Sequence, residues 1–494
     1  MTRDRPRTLT LGEALAPVLA MVLLFIAGTL SIGTSGELLV AVILAAAAVA
    51  GFVAVRHGRS WDDIQRSTGD KIAAVLPALL ILLSIGVLIG TWVLSGTIPL
   101  LVYWGIRLVS PQYLALTAFL ATATMSLFTG TSWGSAGTIG VALMGTAVAL
   151  DAPLALTAGA VVSGAYFGDK LSPLSDSTNI CAIAANVPLY RSIRHLLYTA
   201  TPSFVICVVV YTLSSSSAPV ATAGLPETAR ATVADIDAVF AVHWLALLPV
   251  AVIVACIIRQ VPPALAIVLS SLVAGLLGVL LQGFSVADAV VAAVAGFRID
   301  MLASVGIDPA ATGEGFRTLV QRGGLNSMAT TLIVVISAFL LAGGMDVSGA
   351  LELLIGRMLA AVRSVFGLIA ATMASGATMI ALTSHGGVTA LVIGGMFQKA
   401  YRERGLAPEN LSRSLEDSVT ITEPLMPWTV SAVFMATTLG VPTIAYAPWA
   451  VFCYGGPFFS LLIAGLYRRT GFGIRALPDV VAARHGSAPL PTTY

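Results

Sequence analysis

The sequence predicts an all-α polytopic membrane protein made of two inverted repeats with broken helices and re-entrant hairpins. Three observations predict it: an apolar composition, long apolar runs interrupted by polar segments, and an order of motifs that recurs in the second half. Of 494 residues, 57% are hydrophobic and 10% charged, and the mean hydropathy is +0.93. A soluble globular chain carries about 25% charged residues, so composition places this one in a bilayer. The formal net charge is +2. With no basic run beside it, nucleic acid is excluded as a partner. Cys181, Cys207, Cys256 and Cys453 stand in apolar surroundings without a CxxC or His/Cys cluster, which argues against a disulfide framework or a zinc site. No cofactor is implied. No nucleophile–base arrangement marks an enzyme, and no GxxxxGK[ST] loop marks a primary pump. Arg3, Arg5 and Arg7 precede an apolar run from near Leu15 without a small-residue cleavage site, so the first helix is expected to stay uncleaved.

About 20 apolar residues cross a bilayer as a helix. Clear spans fall near 14–32, 37–55, 72–95, 196–214, 243–258, 263–283, 326–344 and 443–467. Three longer apolar stretches are interrupted. One, 112–150, breaks at Thr129-Gly130-Thr131-Ser132-Trp133-Gly134-Ser135. The next, 153–188, breaks at 168–179. The last, 365–440, breaks at Thr383-Ser384-His385-Gly386-Gly387 and again from Glu416 to Trp428. The expected total is about 10 spanning helices plus two hairpins, or up to about 12–14 spans if each broken pair crosses fully.

The breaks repeat in order. Ser95-Gly96 before an amphipathic 100–109 matches Ser348-Gly349 before 351–362. Ala123-Thr124-Met125 leading to Thr131-Ser132-Trp133-Gly134 matches Ala377-Thr378-Met379 leading to Thr383-Ser384-His385-Gly386, and Ser172-Pro173-Leu174 matches Glu423-Pro424-Leu425. Each pair lies about 250 residues apart. The expected organisation is a first repeat over 1–214, a linker over 215–240, a second repeat over 241–470 and a cytoplasmic tail over 471–494.

Basic residues orient the chain. With both termini cytoplasmic, only Arg107, Arg230, Arg298, Arg317 and Arg322 fall outside, Lys170 stays within its motif, and the rest of the 26 lie inside. Each half then crosses an odd number of times, so the halves are inverted. Inverted repeats with discontinuous helices point to a secondary transporter with its site at the midplane between them; a channel would not need them.

The segment 168–179, Gly-Asp-Lys-Leu-Ser-Pro-Leu-Ser-Asp-Ser-Thr-Asn, places two carboxylates, an ammonium, hydroxyls and an amide between apolar runs. It reads either as an extramembrane loop or as an unwound ion-binding segment, since polar and irregular backbone at membrane depth persists where it lines a cavity. A sodium ion takes oxygen ligands from unwound carbonyls, hydroxyls and carboxylates. Asp176 with Ser175, Thr178 and Asn179 supplies such oxygens within one turn, and Asp169 and Ser172 flank Pro173. Burial disfavours the charged form of a carboxylate, so such a group can take a proton when the metal ion leaves. Lys170 either neutralises Asp169 in the empty site or snorkels to an interface. Thr131, Ser132 and Ser135 either complete the shell or pack helices through small residues.

The second half offers Glu416, Asp417, Ser418, Glu423 and Thr429. Arg413 can hold Glu416 or Asp417 in a salt bridge at the cytoplasmic edge, which leaves Glu423, before Pro424, as the intramembrane candidate. His385, in the second hairpin tip, either carries protons near neutral pH or is a hydrogen-bonded packing residue.

These residues resemble the NhaC-type sodium/proton antiporter family of the ion-transporter superfamily. The resemblance rests on Thr129-Gly130-Thr131-Ser132-Trp133-Gly134 with Gly137-Thr138-Ile139-Gly140, on the whole of 163–179, on Arg322-Gly323-Gly324-Leu325, on Leu411-Ser412-Arg413 with Leu415-Glu416-Asp417-Ser418, and on Pro424-Leu425-Met426-Pro427-Trp428 through Gly440-Val441-Pro442-Thr443. It implies an antiporter of the bacterial inner membrane, a homodimer in membrane lipid, exchanging Na+, and Li+ as a second cation, for H+. It also implies a cation site between the Asp169/Asp176 segment and the second-half motif. The chain departs from the family pattern at Glu423, where a hydroxyl residue is usual, at Thr429, where Asn is usual, and at Ser384-His385, where an Asp-Gln pair is common. Members of the wider group exchange malate and lactate. A coupled carrier of a small organic acid or amino acid is therefore the alternative, although the acid-rich segments favour a cation.

Overall fold

The structure, a computed structural model, describes residues 9–33, 35–216, 226–384 and 386–477, and among these it contains helices and no strand. The first half runs α1 (Leu11–Ile32), α2 (Gly36–Arg56), α3 (Trp61–Ala74), α4 (Leu76–Leu94), α5 (Thr97–Leu108), α6 (Leu114–Thr129), α7 (Ser132–Ser135), α8 (Val141–Ala149), α9 (Leu154–Leu171), α10 (Asp176–Ala184) and α11 (Leu189–Ser216). A connecting helix α12 (Glu227–Val239) follows. The second half runs α13 (Leu248–Ile258), α14 (Pro263–Leu280), α15 (Val286–Ala295), α16 (Glu314–Val320), α17 (Ala329–Val347), α18 (Ala350–Ala360), α19 (Val365–Thr383), α20 (Gly386–Glu403), α21 (Glu409–Leu415), α22 (Val430–Leu439), α23 (Thr443–Tyr446) and α24 (Val451–Thr470).

Seven of the described helices are long and apolar enough to cross a membrane, or up to 10 if each sharply bent pair counts as one span. The protein is a multi-pass membrane protein. Two expected spans differ in detail. The run 72–95 is divided at Val75, because Pro77 opens a new helix and the polar Trp61–Ala74 forms its own amphipathic helix. The run 443–467 is divided at Ala450, where Pro448 interrupts the backbone ladder and a 3₁₀ turn precedes α24. The expected linker also carries structure. Its residues 217–225 lie outside the described residues, but α12 buries Ala229, Thr232, Ile236 and Val239 and packs on α5 and α16.

The recurrence extends to local geometry. Gly96 and Gly349 both take left-handed φ, 78° and 77°, and the serine before each donates its hydroxyl back to the preceding turn, Ser95 to Trp92 O and Ser348 to Met345 O. Gly130 and Ser384 both end a helix in the left-handed region. Beyond them Thr129 Oγ1 meets Ser135 Oγ at 3.2 Å, and Thr383 Oγ1 meets Thr389 Oγ1 at 2.7 Å. Each half also holds a helix that does not qualify as a span, α3 because it is polar and α15 because it is short. α3 and α15 each start at a capping box, Ser60/Asp63 and Ser285/Asp288, in which serine hydroxyl and Asp carboxylate satisfy each other's backbone N–H.

The halves interlock. α2 and α3 pack on α17, while α14 and α15 pack on α4, so corresponding helices cross to the other half. α11 and α24 pack together, α11 also reaches α21, and α24 reaches α9. Trp133 stacks on Phe434 at 4.5 Å between centroids, joining the first hairpin tip to α22. This arrangement brings the breaks of the two halves face to face.

α6 packs closely on α9, and Gly164 and Gly168 allow the approach: a Cβ at 164 would strike the Phe119 carbonyl, and one at 168 the Leu127 amide and Ala123 carbonyl. Gly164→Val is expected to cost at least about 1–3 kcal/mol through overpacking. Thermal unfolding in detergent checks this, with Gly275→Ala, where nothing lies within 4 Å of the added Cβ, as the neutral comparison.

Candidate functional site

The site is built from the ends of broken helices. α9 stops at Leu171 because Pro173 cannot continue it, and α10 starts at Asp176 with Ser175 as its N-cap. In the second half, α21 passes into a π turn over Glu416–Thr420, then a 3₁₀ turn at Glu423–Leu425, and α22 starts with Thr429 as its N-cap. A π turn widens the helix by one residue and is frequent at functional positions. Here it carries Glu416 and Asp417.

Asp169 is buried near the end of α9 and accepts a hydrogen bond from Ser132 Oγ at 2.9 Å. The first hairpin tip therefore reaches the carboxylate. Thr131 instead caps α7, accepting the amide of Gly134. Lys170 does not neutralise Asp169, nor does it snorkel to an interface. Successive helix residues point about 100° apart, so Lys170 faces α11 and the second half. There its fully buried ammonium pairs with Asp417 Oδ1 and donates to Thr199 Oγ1 at 3.0 Å. Thr199 lies 3.2 Å from the same Asp417 oxygen. Asp417 Oδ2 has no partner. Asp417 is therefore held by Lys170 rather than by Arg413, which lies one turn back and donates to the Gly473 carbonyl.

Glu416 is buried and receives a long bond, 3.4 Å, from Ser177 across the halves, while its Oε2 has no partner. Glu423 is buried beside the second hairpin tip: a Cβ on Gly386 would stand 3.3 Å from its Oε2. Asp169 lies within electrostatic reach of both Glu416 and Glu423. Among the described residues no basic group lies within ion-pair distance of Asp169, Glu416 or Glu423.

The other predicted residues are placed differently. Asp176 is exposed in the first turn of α10, where the helix dipole favours its charge. Thr178 Oγ1 donates to the carbonyls of Asp169 and Lys170, tying down the end of α9. Asn179 Nδ2 donates to the carbonyls of Pro173 and Ser175, and Ser172 Oγ accepts the Leu174 amide. Thr429 donates to the Glu423 and Met426 carbonyls, and Ser418 to the Ser414 carbonyl. These hydroxyls and amides hold the broken backbone, and Ser172, Ser175 and Thr429 also accept backbone amides there. His385 lies outside the described residues. Among the described residues no three carboxylate, imidazole or thiol groups converge on one point. A cation held here would therefore draw on hydroxyl and carbonyl oxygens besides a carboxylate. Sequence reasoning missed Thr199, which sits in an apolar span without a motif. It undervalued Asp417's link to Lys170, which only the folded chain brings together.

Known proteins share this chain's sequence over most of its length. Residues 164–466 match the sequence model of the Na+/H+ antiporter family. A protein of Haemophilus influenzae named as an uncharacterized Na+/H+ antiporter is 42% identical over 476 residues, 96% of this chain and 99% of its own length. The Na+/H+ antiporter NhaC of Alkalihalophilus pseudofirmus is 35% identical over 407 residues, 82% of this chain and 85% of its own. The malate-2H+/Na+-lactate antiporter of Bacillus subtilis is 30% identical over 425 residues, 86% of this chain and 87% of its own. Together with the multi-pass helical fold and the buried acids at its broken helices, these matches establish that the chain belongs to the Na+/H+ antiporter family.

Proposed function

We propose that this protein exchanges Na+ for H+ across the bacterial inner membrane by alternating access between two inverted halves, with both termini cytoplasmic. The observation that carries this reading is the charge balance. Asp169, Glu416 and Glu423 are buried with no basic group within ion-pair distance among the described residues, Lys170 acting on Glu416 only from farther off, and burying an ion without a close partner costs several kcal/mol even after relaxation. Such acids are stable only when they hold a proton or a metal cation. One site with two exclusive occupants is what exchange requires.

Asp169 and Ser132 from the first half form the primary cation position, with Glu416 and Glu423 from the second half completing it as the halves rock. Asp176, exposed and within electrostatic reach of Asp169, draws cations toward it. The Lys170–Asp417 pair ties the halves in the empty state and reorganises during alternation. Li+, as a hard cation, is accepted at the same oxygens. Ser132→Ala removes the hydroxyl on Asp169 and is expected to weaken Na+ binding by about 1 kcal/mol, roughly fivefold, read as the half-saturating Na+ for transport in proteoliposomes.

A second reading is exchange of a small organic acid, as the name of the Bacillus subtilis relative describes for that protein. The buried guanidinium of Arg413, whose Nε and Nη2 have no partner, supplies donors a carboxylate would want. Lys170, the other basic group, is already engaged by Asp417, which favours the cation reading. The deciding experiment is uptake of radiolabelled Na+ into proteoliposomes under an imposed pH gradient, with and without malate or lactate. Uptake without any organic acid supports Na+/H+ exchange. Uptake that requires the acid supports the second reading.

A further inference from the structure

Two cavities away from the acidic site join at the end of α11. One is an apolar groove of about 630 Å³ between α11 and α24, lined by Leu197, Pro202, Phe459, Leu462, Ile463 and Leu466. The other is a pocket of about 390 Å³ holding Arg191, Arg194, Arg475, His195 and Glu409. Arg194 and Tyr198 belong to both, so the two form one continuous site with an apolar body and a basic end.

The basic end is rigidly built. The segment after α24 turns back and adds to the start of α21, with Ala407 N donating to Arg475 O at 2.9 Å and Leu477 N to Gly405 O at 2.8 Å. The buried Asn410 accepts the Arg475 amide at 3.0 Å and lies 3.2 Å from His195 Nε2. Glu409, also buried, is paired with both Arg191 and Arg475. Arg194 has no carboxylate within ion-pair distance among the described residues. The pocket thus holds three guanidinium groups against one carboxylate, a net positive charge at the mouth of an apolar groove. By the charge asymmetry of the chain this end faces the cytoplasm, where anionic headgroups meet juxtamembrane arginines.

We propose that this groove and pocket bind one phospholipid of net negative headgroup charge. An acyl chain lies between α11 and α24, and its phosphodiester sits between Arg194 and the outer faces of Arg191 and Arg475. Zwitterionic lipid offers the same acyl chain, but its ammonium cancels the charge that the pocket selects. A bound lipid would brace α11, α24 and the C-terminal segment against α21, the helix that leads into Glu416 and Asp417.

The test uses the purified full-length chain, delipidated in detergent. Phosphatidylglycerol, phosphatidylcholine and inorganic phosphate are each titrated while thermal unfolding and native mass spectra are recorded. Phosphatidylglycerol is expected to raise the unfolding midpoint and to be retained as a single molecule, with much weaker effects from the other two. Arg194→Glu should raise the half-saturating phosphatidylglycerol about tenfold or more. Leu462→Trp should do the same by filling the groove without changing charge. Both residues are exposed, so neither change threatens the fold, and Arg194→Gln serves as a milder second variant. Equal stabilisation by phosphatidylcholine, a full effect from phosphate alone, or an unchanged phosphatidylglycerol titration in these variants would overturn the proposal.

Discussion

Lys170→Met is expected to destabilise the protein by about 3–5 kcal/mol, because it leaves Asp417 charged and alone in a fully buried position. Asp417→Leu is expected to cost a similar amount by stranding the ammonium. The double variant should recover most of that loss, since replacing both members of a buried pair by apolar groups of similar size is often neutral. Thermal unfolding of the four proteins in detergent gives the coupling directly. Additive losses would show that the pair contributes nothing jointly. The double variant is also the informative one for transport. It should fold and bind Na+, yet lose coupled exchange, because the contact proposed to tie the halves in the empty state is gone.

Asp169→Asn carries the second large effect. Asparagine keeps the shape and can still bond to Ser132, so the fold should hold. The charge that attracts the cation is lost. A bond to a charged group contributes about 1.5–3 kcal/mol, so Na+ affinity should fall roughly 10- to 100-fold. The pH dependence should change with it. If protons and Na+ compete for the native site as proposed, the half-saturating Na+ should rise as pH falls, by up to about tenfold per pH unit while the site is protonated. In Asp169→Asn that slope should flatten. Glu423→Gln offers a useful contrast. If Glu423 is a partner in the shell, the slope should fall in part, and if it only packs against Gly386 the slope should be unchanged.

The architecture was largely legible because its signals are local. Apolar runs give the spans, Gly96, Gly130 and Pro173 mark where helices must stop, and the recurring Ser-Gly and Pro-Leu pairs give the order of the second half. As spans, α3 was not legible because it is polar, and α15 because its apolar run is short. Their capping boxes, Ser60 to Asp63 and Ser285 to Asp288, were the available signal. At the site, the structure brings together the segments that the sequence marked and shows what their side chains bond. Ser175 and Thr429 sit before helices, and their hydroxyls are used first as N-caps. Thr178 and Asn179 bond backbone carbonyls left open by the break. Asp176 and Asp169 share a motif, but the break at Pro173 leaves one exposed and buries the other. Nothing in the spacing of Lys170, Thr199 and Asp417 announces that they meet, because the contact depends on how the halves interlock.

If, as proposed, one buried group of carboxylates holds either a proton or Na+, binding of one must expel the other. The most direct test is proton release on Na+ binding, measured by a pH indicator when Na+ is added to the purified protein in weakly buffered detergent solution. The native protein is expected to release protons in proportion to Na+ bound, with choline as the inert cation, and Asp169→Asn to release few or none. Na+ binding to the native protein with no release of protons would contradict the proposal.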